Sequence, residues 1–207
     1  MKKNILYVLL FVCLLPGISF AANPPDPSEQ LKPFINGIIT QLKKPGFRKT
    51  PIADQTDVLV KQAAEHFDFQ EMSKRVLGKP WKKLSQGKRD EFVALFTKLL
   101  QYVYIGQVDD YLDKEIKFTS QRIKGKRAEV KTLFVDGAKS IPVSYALILR
   151  ADKWMVYDIA VENISLVRNY MEQIRTVLRD KEFAGLISML QKKIQELEKE
   201  AGKESAK

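Results

Sequence analysis

The chain holds one histidine, His66, in the run His66-Phe67-Asp68-Phe69, and one cysteine, Cys13. A transition-metal site around a single imidazole needs carboxylates at ligand spacing, and the sequence offers no such cluster. It also lacks GxSxG, a phosphate-cradling glycine loop and HExxH. His66 therefore reads as a residue at a helix end, close to the last carbonyls. The remaining pair suited to acid–base work is Asp158 and Glu162, on one extended segment. Strand rise puts them roughly 13 Å apart, outside the ~5 to 9.5 Å window of carboxylate-pair glycosidases. Asp158 reads better as a hydrogen-bonding residue at a strand end, or as the partner of an arginine such as Arg168. No catalytic residue, metal ligand set or cofactor site follows from these residues.

The first stretch has the form of an export leader. Met1-Lys2-Lys3 is a positive start, ILYVLLFVCLL an apolar run too short for a permanent membrane span, and Ser19-Phe20-Ala21 a small-x-small cleavage site. Cleavage after Ala21 is expected, with residues 22–200 as a single domain and 201–207 as a charged tail. Cys13 lies inside the apolar run, so the exported chain has no thiol. It cannot form disulfides, act as a cysteine enzyme or bind metal through sulfur. The formal net charge of +10 falls to +8 without Lys2 and Lys3. A basic surface attracts polyanions, and export argues against nucleic acid. Much of the excess sits in QLKKPGFRK, KPWKK and RIKGKR, which are loops or loop edges.

Periodicity supplies the scaffold. Leu31, Phe34, Ile35, Ile38, Ile39 and Leu42 have helical spacing, ended by Lys44-Pro45-Gly46. A second helix is expected after Thr50 as cap and Pro51 as first residue, and a short third over FQEMSKRVLG, stopped by Gly78. Ser85 opens what reads as the longest helix, reaching Asp113 with an apolar stripe from Phe92 to Leu112. The period then changes to two. EIKFTSQRI, AEVKTLFVD, IPVSYALIL and WMVYDIAVE read as four strands of an antiparallel meander with short turns between them. Two helices follow, SLVRNYMEQIRTVLRD, capped by Asn163 or Ser165, and EFAGLISMLQKKIQELEKE. The fold class is α+β, with a four-stranded antiparallel sheet packed against helices.

The last two strands are apolar on both faces. Met155, Tyr157, Ile159 and Val161 form one alternating row, yet Trp154 and Val156 stand on the other; Val143, Tyr145, Leu147 and Leu149 are opposed by Ala146 and Ile148. Either helices cover both faces, or sheet and long helix leave an apolar chamber for a ligand. Composition does not separate the two.

Four segments in order, HFDFQEMSKRVLGKPWKKLS, RDEFVALFTKLLQYVY, IPVSYAL and WMVYDIAVENISLVRNY, resemble the MlaC family of periplasmic phospholipid-binding proteins, also called toluene tolerance proteins. The resemblance covers about Leu31 to Leu190. It departs from the family pattern at Asn163, Met171 and Lys88, where Gly, Arg and Gln are usual. Asn163 is the mildest change, since Asn tolerates left-handed backbone. The resemblance implies a nuclear-transport-factor-like shape with an added N-terminal helical part, and an apolar pocket for phospholipid acyl chains. It implies a monomeric carrier and not an enzyme, shuttling lipid in the periplasm between an outer-membrane lipoprotein complex and an inner-membrane ABC-type transporter, and so maintaining outer-membrane lipid asymmetry. The residues expected to bind lipid are Leu99, Tyr102, Val103, Val143, Tyr145, Leu147, Val156, Ile159 and Val167. A structural adaptor or chaperone with a filled core, and a carrier of another lipid such as hopanoids, remain as alternatives.

Overall fold

The structure, a computed structural model, describes residues 24–105 and 114–204. The expected leader, the expected helix end at Val108, Tyr111 and Leu112, and the last three residues of the tail lie outside the described residues.

Helix α1 (Pro27–Leu42) starts where Asp26 accepts hydrogen bonds from the Ser28 and Glu29 amides, with Pro27 in the first position. Helix α2 (Ile52–Ala64) follows a short 3-10 turn. Thr50 does not cap it: its hydroxyl donates back to the Phe47 carbonyl at 2.6 Å, and Pro51 occupies the cap position. Helix α3 (Phe69–Leu77) is capped by Asp68, which accepts from the Glu71 amide at 2.8 Å, and ends at Gly78 with φ of 62°. Helix α4 (Gln86–Ile105) runs for 20 residues up to the last one described before residue 114. The two expected C-terminal helices, together labelled α5 (Leu166–Glu204), meet at Glu182, whose backbone is not helical.

Strands β1 (Glu115–Lys124), β2 (Arg127–Asp136), β3 (Lys139–Arg150) and β4 (Lys153–Val161) form the expected meander. A two-residue β5 (Ile164–Ser165) adds a fifth strand, so the order is β1-β2-β3-β4-β5. The turn into β5 needs left-handed backbone at Glu162 (φ 51°) and Asn163 (φ 68°), and Asn meets that need at little cost.

The two-faced pattern of β4 has a local cause. Leu147 pairs with Val156 but Ala146 pairs with Asp158, so Tyr157 is an extra, unpaired residue. Across this bulge the alternation slips by one. Trp154 and Val156 thus share a face with Ile159 and Val161, opposite Leu149, Leu147, Tyr145 and Val143. The sequence row joining Met155 and Tyr157 to Ile159 and Val161 does not exist in the folded strand. Thr119 makes a comparable slip in β1, between Phe118 and Ser120.

Two main cores result. Helix α1 lies on the continuous apolar face of the sheet, burying Leu31 and Ile35 against Val130, Phe134, Leu147, Trp154 and Val156. Helices α3, α4 and α5 bury Met72, Phe92, Phe96, Leu186 and Leu190 among themselves. Phe67 packs against both. Segment 66–68 reaches the outer edge of β4, where the Val156 amide donates to the His66 carbonyl at 2.8 Å and the Asp68 amide to the Val156 carbonyl at 2.9 Å. Farther along that edge Asp158 accepts the Val167 amide at 3.0 Å and the Ser165 hydroxyl at 2.6 Å, and Ser165 accepts the Arg168 amide at 3.0 Å. Ser165 therefore caps α5, with Asp158 bracing it from the sheet. Asp158→Ala is expected to lower stability by about 1–2 kcal/mol, read as a shift in the urea midpoint at unchanged slope.

The His66 ring stacks on Phe34 with centroids 4.3 Å apart. Burial, reinforced by Lys153, lowers its pKa below 6.5. The folded state thus disfavours the imidazolium, while the unfolded chain takes up the proton from about pH 6.5 downward. The stability held above that pH declines as the solution is acidified through the window between 6.5 and the lower folded pKa. His66→Phe, which keeps a ring against Phe34, should flatten this part of the pH profile; urea midpoints of the two proteins across pH 5 to 7 measure it.

Candidate functional site

The apolar sheet face under α1 differs from one end to the other. At the start of β4, polar clamps hold the helix down. Gln30 donates to the Trp154 carbonyl at 2.7 Å and accepts the Trp154 amide at 2.9 Å, while the indole N–H donates to the Pro25 carbonyl at 2.6 Å. Ser28 donates to the Gln121 side chain of β1 at 2.7 Å, and Gln121 in turn donates to Asp26. Under this clamp Trp154 and Val130 are fully buried, and Leu147 and Val156 are 1% exposed. That end is sealed.

Toward the other end of the face, Ile116, Phe118, Ile141, Ile159 and Val161 are only half-buried although they pack against the same core, as are Phe34 and Ile39 of α1 above them. A side chain filled on every side by protein shows almost no accessible surface, as at Leu147, whereas partial exposure of an inward-facing row means that protein leaves part of it uncovered. Ile38 and Leu42 turn instead toward Leu59 and Phe47. The half-buried row runs toward the β2–β3 turn, where Lys114 pairs with Asp136 at 3.0 Å.

The expected lipid-binding residues divide between the two cores. Val143, Tyr145, Leu147, Val156 and Ile159 share the sheet core with α1. Leu99 and Val167 are buried in the helical core, and Tyr102 and Val103 pack against it. Within the sheet group only Ile159 is half-buried; the others are buried. The Tyr145 phenol is satisfied within that core. Thr132 donates to the Val143 carbonyl at 3.2 Å and is the hydrogen-bond partner of the phenol, whose pKa burial pushes well above 10. Phe34, Ile39, Ile116, Phe118, Ile141 and Val161 of the half-buried row are not among the residues expected to bind lipid. In β1 the alternation that places Ile116 and Phe118 on this face stops at the Thr119 bulge.

Polar chemistry beside the half-buried row is sparse. Asp158 is occupied by Ser165 and Val167, and among the described residues no group of His, Cys, Asp and Glu is placed to hold a metal ion. His66 faces Phe34. No helix of the described residues is long and apolar enough to cross a membrane.

No curated protein matches the chain. A solved structure, the phospholipid-binding protein from Ralstonia solanacearum in complex with a phospholipid, aligns with a TM-score of 0.77 over 84% of this chain and 99% of its own, at 18% identity. At that identity the likeness establishes a shared fold. The family model described as MlaC protein matches residues 33–192, and the chain belongs to that family.

Proposed function

We propose that the protein is a phospholipid carrier that houses acyl chains between α1 and the apolar sheet face. The observation that carries this reading is the partial exposure, on one apolar sheet face, of Ile159, Val161, Ile141, Ile116 and Phe118. Family membership supports it, as does the phospholipid in the Ralstonia solanacearum complex. On this reading Ile159, Val161, Ile141, Ile116, Phe118, Phe34 and Ile39 meet the chains. Val143, Tyr145, Leu147 and Val156 shape the floor, while Leu99, Tyr102, Val103 and Val167 hold the helical core that carries β4 and β5. The charged head group stays at the open end, in water.

The energetics explain why such a protein needs no catalytic groups. Exposing two acyl chains of about 30 methylenes costs about 24 kcal/mol at ~0.8 kcal/mol per methylene, which as a barrier gives escape times on the order of a day or longer. An apolar slot of similar quality makes the exchange nearly isoenergetic. The fitting role is transport through the periplasm, after removal of residues 1–21, by the single domain over 22–200. The lipid would pass between an outer-membrane lipoprotein complex and an inner-membrane ABC-type transporter in support of outer-membrane lipid asymmetry.

Native mass spectrometry of protein purified without detergent is expected to show adducts of phospholipid mass, and organic extraction to release them. A clean apoprotein that takes up nothing from vesicles would instead favour a filled-core adaptor. Ile159→Trp, which fills the slot without adding charge, should reduce uptake from labelled vesicles at least about tenfold, the loss of ~1.4 kcal/mol or more of binding; exposed Lys192→Ala should not. Tyr145→Phe is expected to lower stability by about 1 kcal/mol through its lost hydrogen bond and to leave uptake unchanged, which separates floor from lining.

A further inference from the structure

The sheet compensates its charges at one end and not at the other. Lys114 pairs with Asp136, Lys117 with Glu115 and Lys131 with Glu129. Where the β1–β2 and β3–β4 turns lie side by side, Arg122, Lys124, Lys126, Arg127 and Lys153 are exposed, and among the described residues none of them forms an ion pair. Two cross-strand pairs there set like charges directly opposite each other: Lys124 faces Arg127, and Arg150 faces Lys153. Such pairs destabilise a sheet. Arg150 is relieved by Asp68 at 2.8 Å and Glu71 at 3.3 Å. Lys124 and Arg127 have no such relief, because Glu129, the nearest acid across the hairpin, stands opposite Arg122 and reaches Lys131 at 3.7 Å.

Register fixes how these cations are arranged. Arg127 stands opposite Ile148, and Ile148 opposite Met155, so alternation puts Arg122, Lys124, Arg127 and Lys153 on the sheet face away from α1. Neighbouring strands are about 4.8 Å apart, and from β1 to β4 the cations span roughly 15 Å. Ile148 and Met155 among them are half-buried and belong to neither apolar core. Ile123, next to the first turn, is 48% exposed. Both turns, 124–127 and 150–153, are exposed throughout, with Asp152 their single acid.

We propose that this end of the sheet docks on the surface of an anionic lipid bilayer, with membrane phosphates between the unpaired cations and Ile123 in the head-group layer. The proposal takes from the carrier reading only that the protein meets membranes. A bilayer is the occupant because two exposed turns present unpaired positive charge together with an exposed apolar side chain, which matches an anionic plane with an apolar layer beneath it. An anion between Lys124 and Arg127 also removes the repulsion that the hairpin otherwise carries. The half-buried row extends toward the other end of the strands, so docking here holds the carrier at the membrane and does not itself move lipid.

Cosedimentation with vesicles tests the surface. Phosphatidylcholine vesicles with about 30% phosphatidylglycerol are expected to bind the wild type at about 50 mM salt and to release it at about 500 mM. A cation at an anionic surface is worth about fivefold in partitioning, so Lys124→Gln combined with Arg127→Gln should weaken binding about 25-fold. The urea midpoint of that variant should be unchanged or higher, since opposed charges are removed. Lys192→Gln combined with Lys199→Gln removes the same charge from exposed positions of α5, and should alter binding less than about twofold. Failure of the wild type to bind at low salt, equal binding to pure phosphatidylcholine, or equal weakening by both pairs of substitutions overturns the proposal. Phospholipid adducts are read separately by native mass spectrometry. A protein that takes up lipid but does not sediment loses only the docking surface, and one that sediments without adducts loses only the carrier reading.

Discussion

A strand exposes alternate residues to opposite faces, so any apolar row longer than a few residues depends on strict register. In β4 that rule is broken once, at Tyr157, and the slip keeps Trp154, Val156, Ile159 and Val161 on one side of the sheet. Without it, Ile159 and Val161 would turn away from α1 and the apolar face would end halfway along the strand. Tyr157 itself takes the opposite side, where the Arg75 guanidinium lies over its ring at 3.9 Å. Asp158, one residue farther, is free to brace the start of α5. The bulge therefore serves both layers: it extends the floor under α1 and orients the strand end from which the helical layer begins.

What α1 adds depends on where it is tied. Its polar bonds to the sheet, through Gln30, Ser28 and Asp26, lie in its first turn or just before it. Beyond Leu31 the helix meets the sheet through apolar side chains such as Phe34, Ile35 and Ile39, and through Lys32, whose ammonium lies 5.4 Å from the Phe118 ring centroid. Hydrogen bonds to fixed backbone atoms are directional, and apolar contacts are not. One end of the helix is thus pinned in register, and the other can exchange protein contacts for those of another apolar group at small cost.

Much of this architecture was legible in the sequence because the relevant signals are local. Helical spacing in α1, the switch to period two at β1, and Gly78 after α3 each act within a few residues. The meander, with its short joints, followed directly. Other features depended on partners distant in the chain. The face to which Ile159 belongs is decided by its pairing with Tyr145 across the bulge, and a period-two reading of β4 alone sets it opposite Trp154 and Val156. The same limit applies to the slot. Leu147 and Ile159 are equally apolar, but one is sealed under the clamped end of α1 and the other is not. Leu99 and Val167 looked like facing walls of a chamber because both belong to apolar stripes, yet their stripes face each other within the helical core.

The separation into two cores has a mechanical consequence. A carrier whose ligand entered its main core would lose stability each time it emptied, because the cavity left behind is costly at about 24 cal/mol per Å³. Here the fully buried rings Phe92 and Phe96, with Leu186 and Leu190, lie in the helical layer, away from the open end of the sheet face. The layers meet through Phe67, through the backbone bonds between segment 66–68 and Val156, through Asp158, and through Arg150 of β3, which pairs with Asp68 and Glu71. None of these is a residue of the half-buried row on β1 and β3. In the proposed carrier, filling and emptying the slot would change the packing around α1 and leave the helical layer intact, so the protein could remain folded in both states while its affinity is set by one weakly held helix end.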